Sequence, residues 1–223
     1  MTVETLVKYF DHTNLKAYAV QEDLRKLCRE AGEYHFASVM VNPAAVSFCR
    51  ELIVEKDILI GTVVGFPLGA AVIEIKAYET EKAISQGADE IDYVINISAA
   101  KDGKYDLIKE EMQAITDICR QKKAAVKVIF ENCYLKQDEI ERISAIAALV
   151  RPDYIKTSSG FGTYGARVED VEIMTKCVKD TGVKVKAAGG IRDLETCLAM
   201  IRAGAQRIGS SNSVDIVKEF ISR

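Results

Sequence analysis

Two lysines stand where short apolar runs give way to glycine. One run reads Asp153-Tyr154-Ile155-Lys156-Thr157-Ser158-Ser159-Gly160. The other reads Val183-Lys184-Val185-Lys186-Ala187-Ala188-Gly189-Gly190-Ile191-Arg192. Burying an ammonium is costly unless it is paired. One such lysine alone reads as a hydrated structural group; two on neighbouring strands, both at loop junctions, read as chemistry. The chemistry that needs two close lysines is Schiff-base formation. The attacking amine must be neutral, yet a free lysine titrates at about 10.4. A second ammonium nearby disfavours the charged form and lowers that value. One of Lys156 and Lys186 is then the nucleophile, and the other its electrostatic tuner and proton donor.

A carboxylate belongs with them. In Glu90-Ile91-Asp92-Tyr93-Val94-Ile95-Asn96, period two puts Ile91, Tyr93 and Ile95 on an apolar face turned to helices. Asp92 then points the other way, where it can pair with a lysine and move protons through water. Lys127 and Lys184 fall on inward faces too and read as structural. In Asp11-His12-Thr13, Asp11 and Thr13 take the inward face, so His12 reads as a helix-contact histidine. His35 carries no motif. Ser38, Met40 and Asn42 share an inward face. Two further loops, Gly189-Gly190 and Gly209-Ser210-Ser211, suit an anion, because bare amides at a helix N-terminus favour phosphate.

The elements that must position these groups alternate. Apolar, β-branched runs occupy Tyr9–Thr13, Phe36–Val41, Ile58–Val64, Glu90–Ile95, Ala125–Phe130, Asp153–Lys156, Val183–Ala187 and Gln206–Ile208. Their spacing is that of βαβ units. Helical periodicity fills the gaps. Ile73, Ala77, Thr80 and Ile84 share one face before Gly87; Ile108, Met112, Ile115 and Cys119 share another. So do Ile140, Ile143, Ala147 and Val150. Leu194, Cys197, Leu198 and Ile201 follow Asp193, an N-cap, and Gly204 closes that helix. A further helical piece spans residues 2–8. Eight strands and eight helices predict a (β/α)8 TIM barrel with one additional N-terminal helix, a single domain over residues 1–223. A doubly wound open sheet is the alternative, but no GxGxxG follows the first strand. In a barrel, chemistry sits at the C-terminal strand ends, where the two lysines stand.

Composition excludes several other classes. The chain has 223 residues, 48% of them hydrophobic, and a formal charge of −3, so no basic surplus marks a nucleic-acid binder. No apolar run is long enough to span a membrane. The start lacks signal-peptide regions, so a cytoplasmic protein with reduced thiols is expected; none of the six cysteines forms CxxC. With two histidines and no metal-ligand spacing, no metal is expected, and Schiff-base chemistry on a lysine needs no organic cofactor.

Along nearly its whole length the sequence resembles deoxyribose-phosphate aldolases, class I aldolases of (β/α)8 fold. The motifs that carry the likeness are Glu90 to Asn96, Lys127-Val128-Ile129-Phe130-Glu131, Ile155 to Phe161 and Val185 to Arg192. The resemblance implies reversible cleavage of 2-deoxy-D-ribose 5-phosphate to D-glyceraldehyde 3-phosphate and acetaldehyde, within deoxyribonucleotide catabolism. It implies Lys156 as the Schiff-base lysine, Lys186 as the second lysine and Asp92 as the acid/base. It also implies phosphate contacts at Gly160, Gly189, Gly190, Gly209, Ser210 and Ser211, and a homodimer. Two departures stand out. Many members have cysteine where this sequence has Met40. Some end in a tail whose terminal tyrosine assists proton transfer, whereas this sequence ends Phe220-Ile221-Ser222-Arg223. Either Asp92, Lys186 and a water then serve the enamine carbon, or another group helps. The rival readings are another phosphate-binding barrel enzyme, such as a sugar-phosphate isomerase or a different Schiff-base aldolase, and a silent barrel that only senses a sugar phosphate.

Overall fold

The computed structural model describes residues 1–55 and 57–223. Eight parallel strands close on themselves in chain order. They are β1 (Phe10–Asn14), β2 (Ser38–Val41), β3 (Leu59–Val64), β4 (Glu90–Val94), β5 (Ala125–Ile129), β6 (Tyr154–Lys156), β7 (Lys184–Ala188) and β8 (Arg207–Ser210). β8 pairs with β1, Asp11 opposite Gly209, and completes the ring. The helices are α1 (Val3–Val7), α2 (Gln21–Tyr34), α3 (Val46–Leu52), α4 (Ile73–Ser85), α5 (Ile97–Lys101), α6 (Tyr105–Lys122), α7 (Gln137–Val150), α8 (Val168–Cys177), α9 (Leu194–Arg202) and α10 (Ser213–Ile221). The predicted (β/α)8 barrel with its N-terminal helix is therefore present. Short α5 is an addition to it, capped by the Asn96 side chain, which accepts from the Ala99 amide.

Alternation along each strand makes two environments. Outward side chains such as Ile91, Tyr93, Val128, Ile155 and Ile208 are buried against the helices in one continuous apolar shell, each contributing about 1.5–3 kcal/mol. The helix faces of α6 and α7 pack there as their periodicity predicts: Ile108, Met112, Ile115, Cys119, Ile140, Ile143, Ala147 and Val150 are all buried. Asp193 does cap α9, accepting from the Thr196 amide.

α4 departs from expectation. Its buried line is Lys76, Thr80 and Ala83, and Ile73, Ala77 and Ile84 only flank it. The cause is an ion pair: Lys76 Nζ lies 2.5 Å from Glu111 of α6 and donates to the Val94 carbonyl at 2.8 Å. A lysine can occupy a core position when its charge and donors are met there, which a purely apolar pattern does not register. Among the described residues no helix is long and apolar enough to cross a membrane, and all six cysteines are free.

Candidate active site

Inward side chains tell a different story from outward ones. Strand register sets Asp92 beside Lys127, Lys127 beside Tyr154, Lys156 beside Lys186 and Lys186 beside Arg207. The result is a buried ionic network of four cations, Lys127, Lys156, Lys186 and Arg207, and three anions, Asp11, Glu90 and Asp92. Asp92 is its hub. Its Oδ2 lies 2.7 Å from both Lys156 and Lys186, and its Oδ1 lies 2.9 Å from Lys127. Lys186 also bonds Asp11. Lys127 has Glu90 at 2.7 Å and Asp11 at 3.7 Å. Arg207 reaches Asp11 at 2.6 Å and Glu90 at 3.3 Å, and Ser38 donates to Asp11 at 2.7 Å. At the floor the Tyr154 ring lies beneath the charges of Lys127, Lys184 and Arg207.

The count decides which group gives way. Four cations against three anions leaves one excess proton in a dry interior. Arg207 cannot release it, since a guanidinium stays charged. Lys127 has two close carboxylates, Glu90 and Asp92, and Lys186 has Asp11 and Asp92. Lys156 has only a share of Asp92. Burial foremost, and after it the Lys186 and Lys127 ammoniums, bring the Lys156 amine down to about 8 against the pull of Asp92. Lys127 moves the opposite way: burial opposes its charge, but Asp92, Glu90 and Asp11 outweigh that and hold it protonated. Burial likewise opposes the Asp92 charge, and Lys127, Lys156 and Lys186 together overcome it, so Asp92 stays ionised below the usual range. The second ammonium expected from the sequence is thus in place, but desolvation is the larger cause.

Above the network lies a cavity of about 430 Å³, lined by Lys156 and by all six residues expected of a phosphate cradle, Gly160, Gly189, Gly190, Gly209, Ser210 and Ser211. Lys186 and Asp92 sit behind Lys156, fully buried. Gly189 and Gly190 both have positive φ, 85° and 77°, a conformation glycine adopts without penalty. An added Cβ on Gly190 would meet only open space. The Ser210 hydroxyl is already engaged, donating to the Ile191 carbonyl and accepting from the Asn212 amide, so its contribution is to shape the loop. The Ser211 side chain is exposed beside it. Met40 lines the cavity as well. It packs with Leu15 and Val63, and Phe66 flanks them.

Asp11 faces inward and His12 outward, bonded to Glu30 at 3.0 Å and packed on Phe36. Lys127 joins the network, and Lys184 lies exposed at the opposite end of the barrel. Arg207 was not expected from the sequence. Period two with Gly209 on a strand that follows Gln206 would have placed it inward.

The family model for DeoC/LacD family aldolases matches residues 5–218. The chain belongs to this family. It is therefore a lyase, an aldolase. It is 51% identical over 222 residues to a deoxyribose-phosphate aldolase of Lactobacillus acidophilus, covering 100% of this chain and 93% of that one. A deoxyribose-phosphate aldolase of Thermococcus gammatolerans is 50% identical over 215 residues, 96% of this chain and 95% of its own. Among solved structures, the tetrameric deoxyribose phosphate aldolase of Aeropyrum pernix superposes with a TM-score of 0.89 at 30% identity, over 99% of this chain and 93% of its own.

Proposed function

We propose that this chain is a class I aldolase that reversibly cleaves 2-deoxy-D-ribose 5-phosphate to D-glyceraldehyde 3-phosphate and acetaldehyde, through a Schiff base on Lys156. The observation that carries this reading is the position of Lys156. It is the one network cation that lines the cavity, it has the weakest carboxylate support, and its amine is brought down to about 8. A measurable fraction is then neutral near pH 7, where a free lysine is almost wholly charged.

The steps follow from the groups present. Neutral Lys156 adds to the C1 aldehyde of the open-chain sugar phosphate. The carbinolamine loses water, giving an iminium whose positive charge lies beside Asp92. Asp92, working through water and with Lys186, takes the proton of the C3 hydroxyl. The C2–C3 bonding pair moves into the iminium, and glyceraldehyde 3-phosphate departs. The resulting enamine is protonated at its terminal carbon, and hydrolysis releases acetaldehyde and the amine. Gly160, Gly189, Gly190, Gly209, Ser210 and Ser211 form the phosphate end. The whole reaction is carried on one barrel over residues 1–223, with no metal or organic cofactor, in the cytoplasm.

Borohydride tests the covalent step, because it reduces an iminium to a stable secondary amine. Incubation with acetaldehyde and borohydride is expected to add one ethyl group, about 28 Da, and to abolish activity. Peptide mapping is expected to find it on Lys156. An ethyl group on Lys186, or one that persists in Lys156→Ala, overturns the assignment. Acetaldehyde release from deoxyribose 5-phosphate in EDTA tests the metal-free reading and separates this activity from isomerisation. A homodimer is the expected assembly, and light scattering distinguishes it from a tetramer of the kind formed by the Aeropyrum relative.

A further inference from the structure

Of the motifs singled out in the sequence, Lys127 to Glu131 leaves one residue unexplained by the chemistry above. Glu131 follows β5 and has φ 58° and ψ 62°, left-handed backbone. That conformation is unfavourable for a residue bearing a side chain. Four other non-glycine residues among those described share positive φ: His35, Lys123, Arg151 and Asp180. All four are exposed and lie in the turns that end helices. Glu131 alone is buried, 2% exposed, and stands at the mouth of the barrel.

Its carboxylate also differs from the other buried ones. Asp11, Glu90, Asp92, Glu111 and Glu139 each pair with a lysine or arginine. Among the described residues Glu131 has no cation within salt-bridge distance. Its polar contacts are with Ser159 and with the Cys133 thiol. Oε1 and Oε2 accept from the Ser159 amide at 3.1 and 3.3 Å, and Oε2 bonds the Ser159 hydroxyl. Cys133 Sγ is 3.9 Å from Oε1. The Ser159 hydroxyl in turn accepts from the Phe161 amide at 3.0 Å. The loop is pressed onto this grip, since a Cβ on Gly162 would run into Cys133 Sγ and lie 3.1 Å from Glu131 Oε1.

What the grip fixes is the loop between β6 and α8. Lys156 precedes it, and Gly160 and Phe161 line the cavity from it. Gly160 comes close to Gly189 at the phosphate end, while Gly165 and the Ala166 amide fasten the far part of the loop to the same glycine. A buried, strained and cation-free carboxylate is a costly way to hold a loop, unless the loop must be held in one place.

We propose that Glu131 is a positioning residue for phosphate recognition. Through Ser159 and the Phe161 amide it holds Gly160 against Gly189, so that the two glycine loops meet the phosphate together. This rests on the reading of those loops as the phosphate site. It does not involve the amine of Lys156, so loss of Glu131 acts on the phosphorylated substrate and not on Schiff-base chemistry.

The test compares two sugars in wild type, Glu131→Gln and Ser159→Ala. With 2-deoxyribose 5-phosphate, Glu131→Gln is expected to lose about tenfold in kcat/KM, mostly through KM. With unphosphorylated 2-deoxyribose the change is expected to stay below about threefold, and inorganic phosphate is expected to compete less well. Ser159→Ala, which keeps Glu131 and the whole backbone, is expected to shift the same ratio less far, and it carries the test if Glu131→Gln does not fold. Parallel losses on both sugars, or no loss on either, overturn the proposal and leave Glu131 a stability residue. Equal use of both sugars by wild type overturns the phosphate site itself, and this proposal with it.

Discussion

Two groups of buried charges lie on opposite sides of the same sheet. Outside the barrel, Lys76 and Glu111 form a pair between α4 and α6. Inside it, seven charged groups meet around Asp92. The outer pair is one against one, and its remaining valences go to the backbone of β4 and the residue after next: Lys76 donates to the Val94 carbonyl and Glu111 accepts from the Asn96 amide. Burial pushes Lys76 down and Glu111 up, each toward neutrality, with the partner opposing. Nothing about it is in excess, and Lys76 is fully buried. The inner group carries one cation more than it can pair, and the least supported member faces a cavity. Burial makes both groups costly. A surplus charge with access to substrate is what turns such a cost into reactivity.

The largest test of this contrast removes one lysine from each side. Lys156→Ala is expected to lower turnover of deoxyribose 5-phosphate at least about a thousandfold, the order seen when a covalent nucleophile is lost, with the fold intact by circular dichroism. Lys76→Met is expected to do the reverse. It strands Glu111 and lowers unfolding free energy by about 3–5 kcal/mol, while kcat in the folded protein stays within about twofold. A large kcat loss in Lys76→Met would erase the distinction.

A second test asks whether the inner surplus costs stability. Lys156 titrates at about 8 in the fold against a usual 10.5, so protonation favours the unfolded chain. The penalty is fully present below pH 8, fades from 8 to 10.5 and is gone above that. Lys156→Met is therefore expected to be more stable than wild type at pH 7, by about 3 kcal/mol. Melting curves at pH 7 and above 10.5 should show the gap closing. A Met variant that melts lower at pH 7 contradicts the charge count.

The second lysine can be removed separately. Lys186→Leu leaves three cations with three carboxylates, so Lys156 no longer has a surplus proton to shed. Its borohydride-trapped acetaldehyde adduct is expected to need a pH at least about one unit higher. An unchanged pH profile assigns the depression to burial alone. The smallest expected effect lies at Met40, a thioether on the cavity wall, which forms no thiolate. Met40→Cys is expected to lose activity a few-fold faster in concentrated acetaldehyde, on the order of two- to fivefold. Equal decay points to another thiol, and half-exposed Cys133 is the one to alkylate first.

Much of this was legible in the sequence because its signals are local. β-branched runs mark the strands, and period two alone sends Asp11, Asp92, Lys156 and Lys186 to one side of the sheet. What escaped depends on partners far along the chain. Lys76 finds Glu111 35 residues away; for Arg207 period two gives the inward face, but its partner Asp11 lies 196 residues away. The apolar face of α4 is shifted for that reason: Thr80 is buried and Ala77 and Ile84 pack on the core as their spacing predicts, but no pattern within one helix says that a lysine will be met by a glutamate from another. Glu131 escaped because a left-handed backbone at a non-glycine residue leaves no mark in composition, and its partner Ser159 sits 28 residues on.

The closing of the barrel has a temporal side. Asp11 lies on the first strand and Arg207 on the last. A ribosome therefore delivers Lys127, Lys156, Lys186 and all three carboxylates before Arg207 emerges. Until β8 docks on β1 the inward face of the sheet is open to water, and a hydrated lysine keeps its proton. Desolvation, the foremost cause of the lowered Lys156 amine, comes only with closure. The amine proposed as the nucleophile is thus armed by the act of completing the fold.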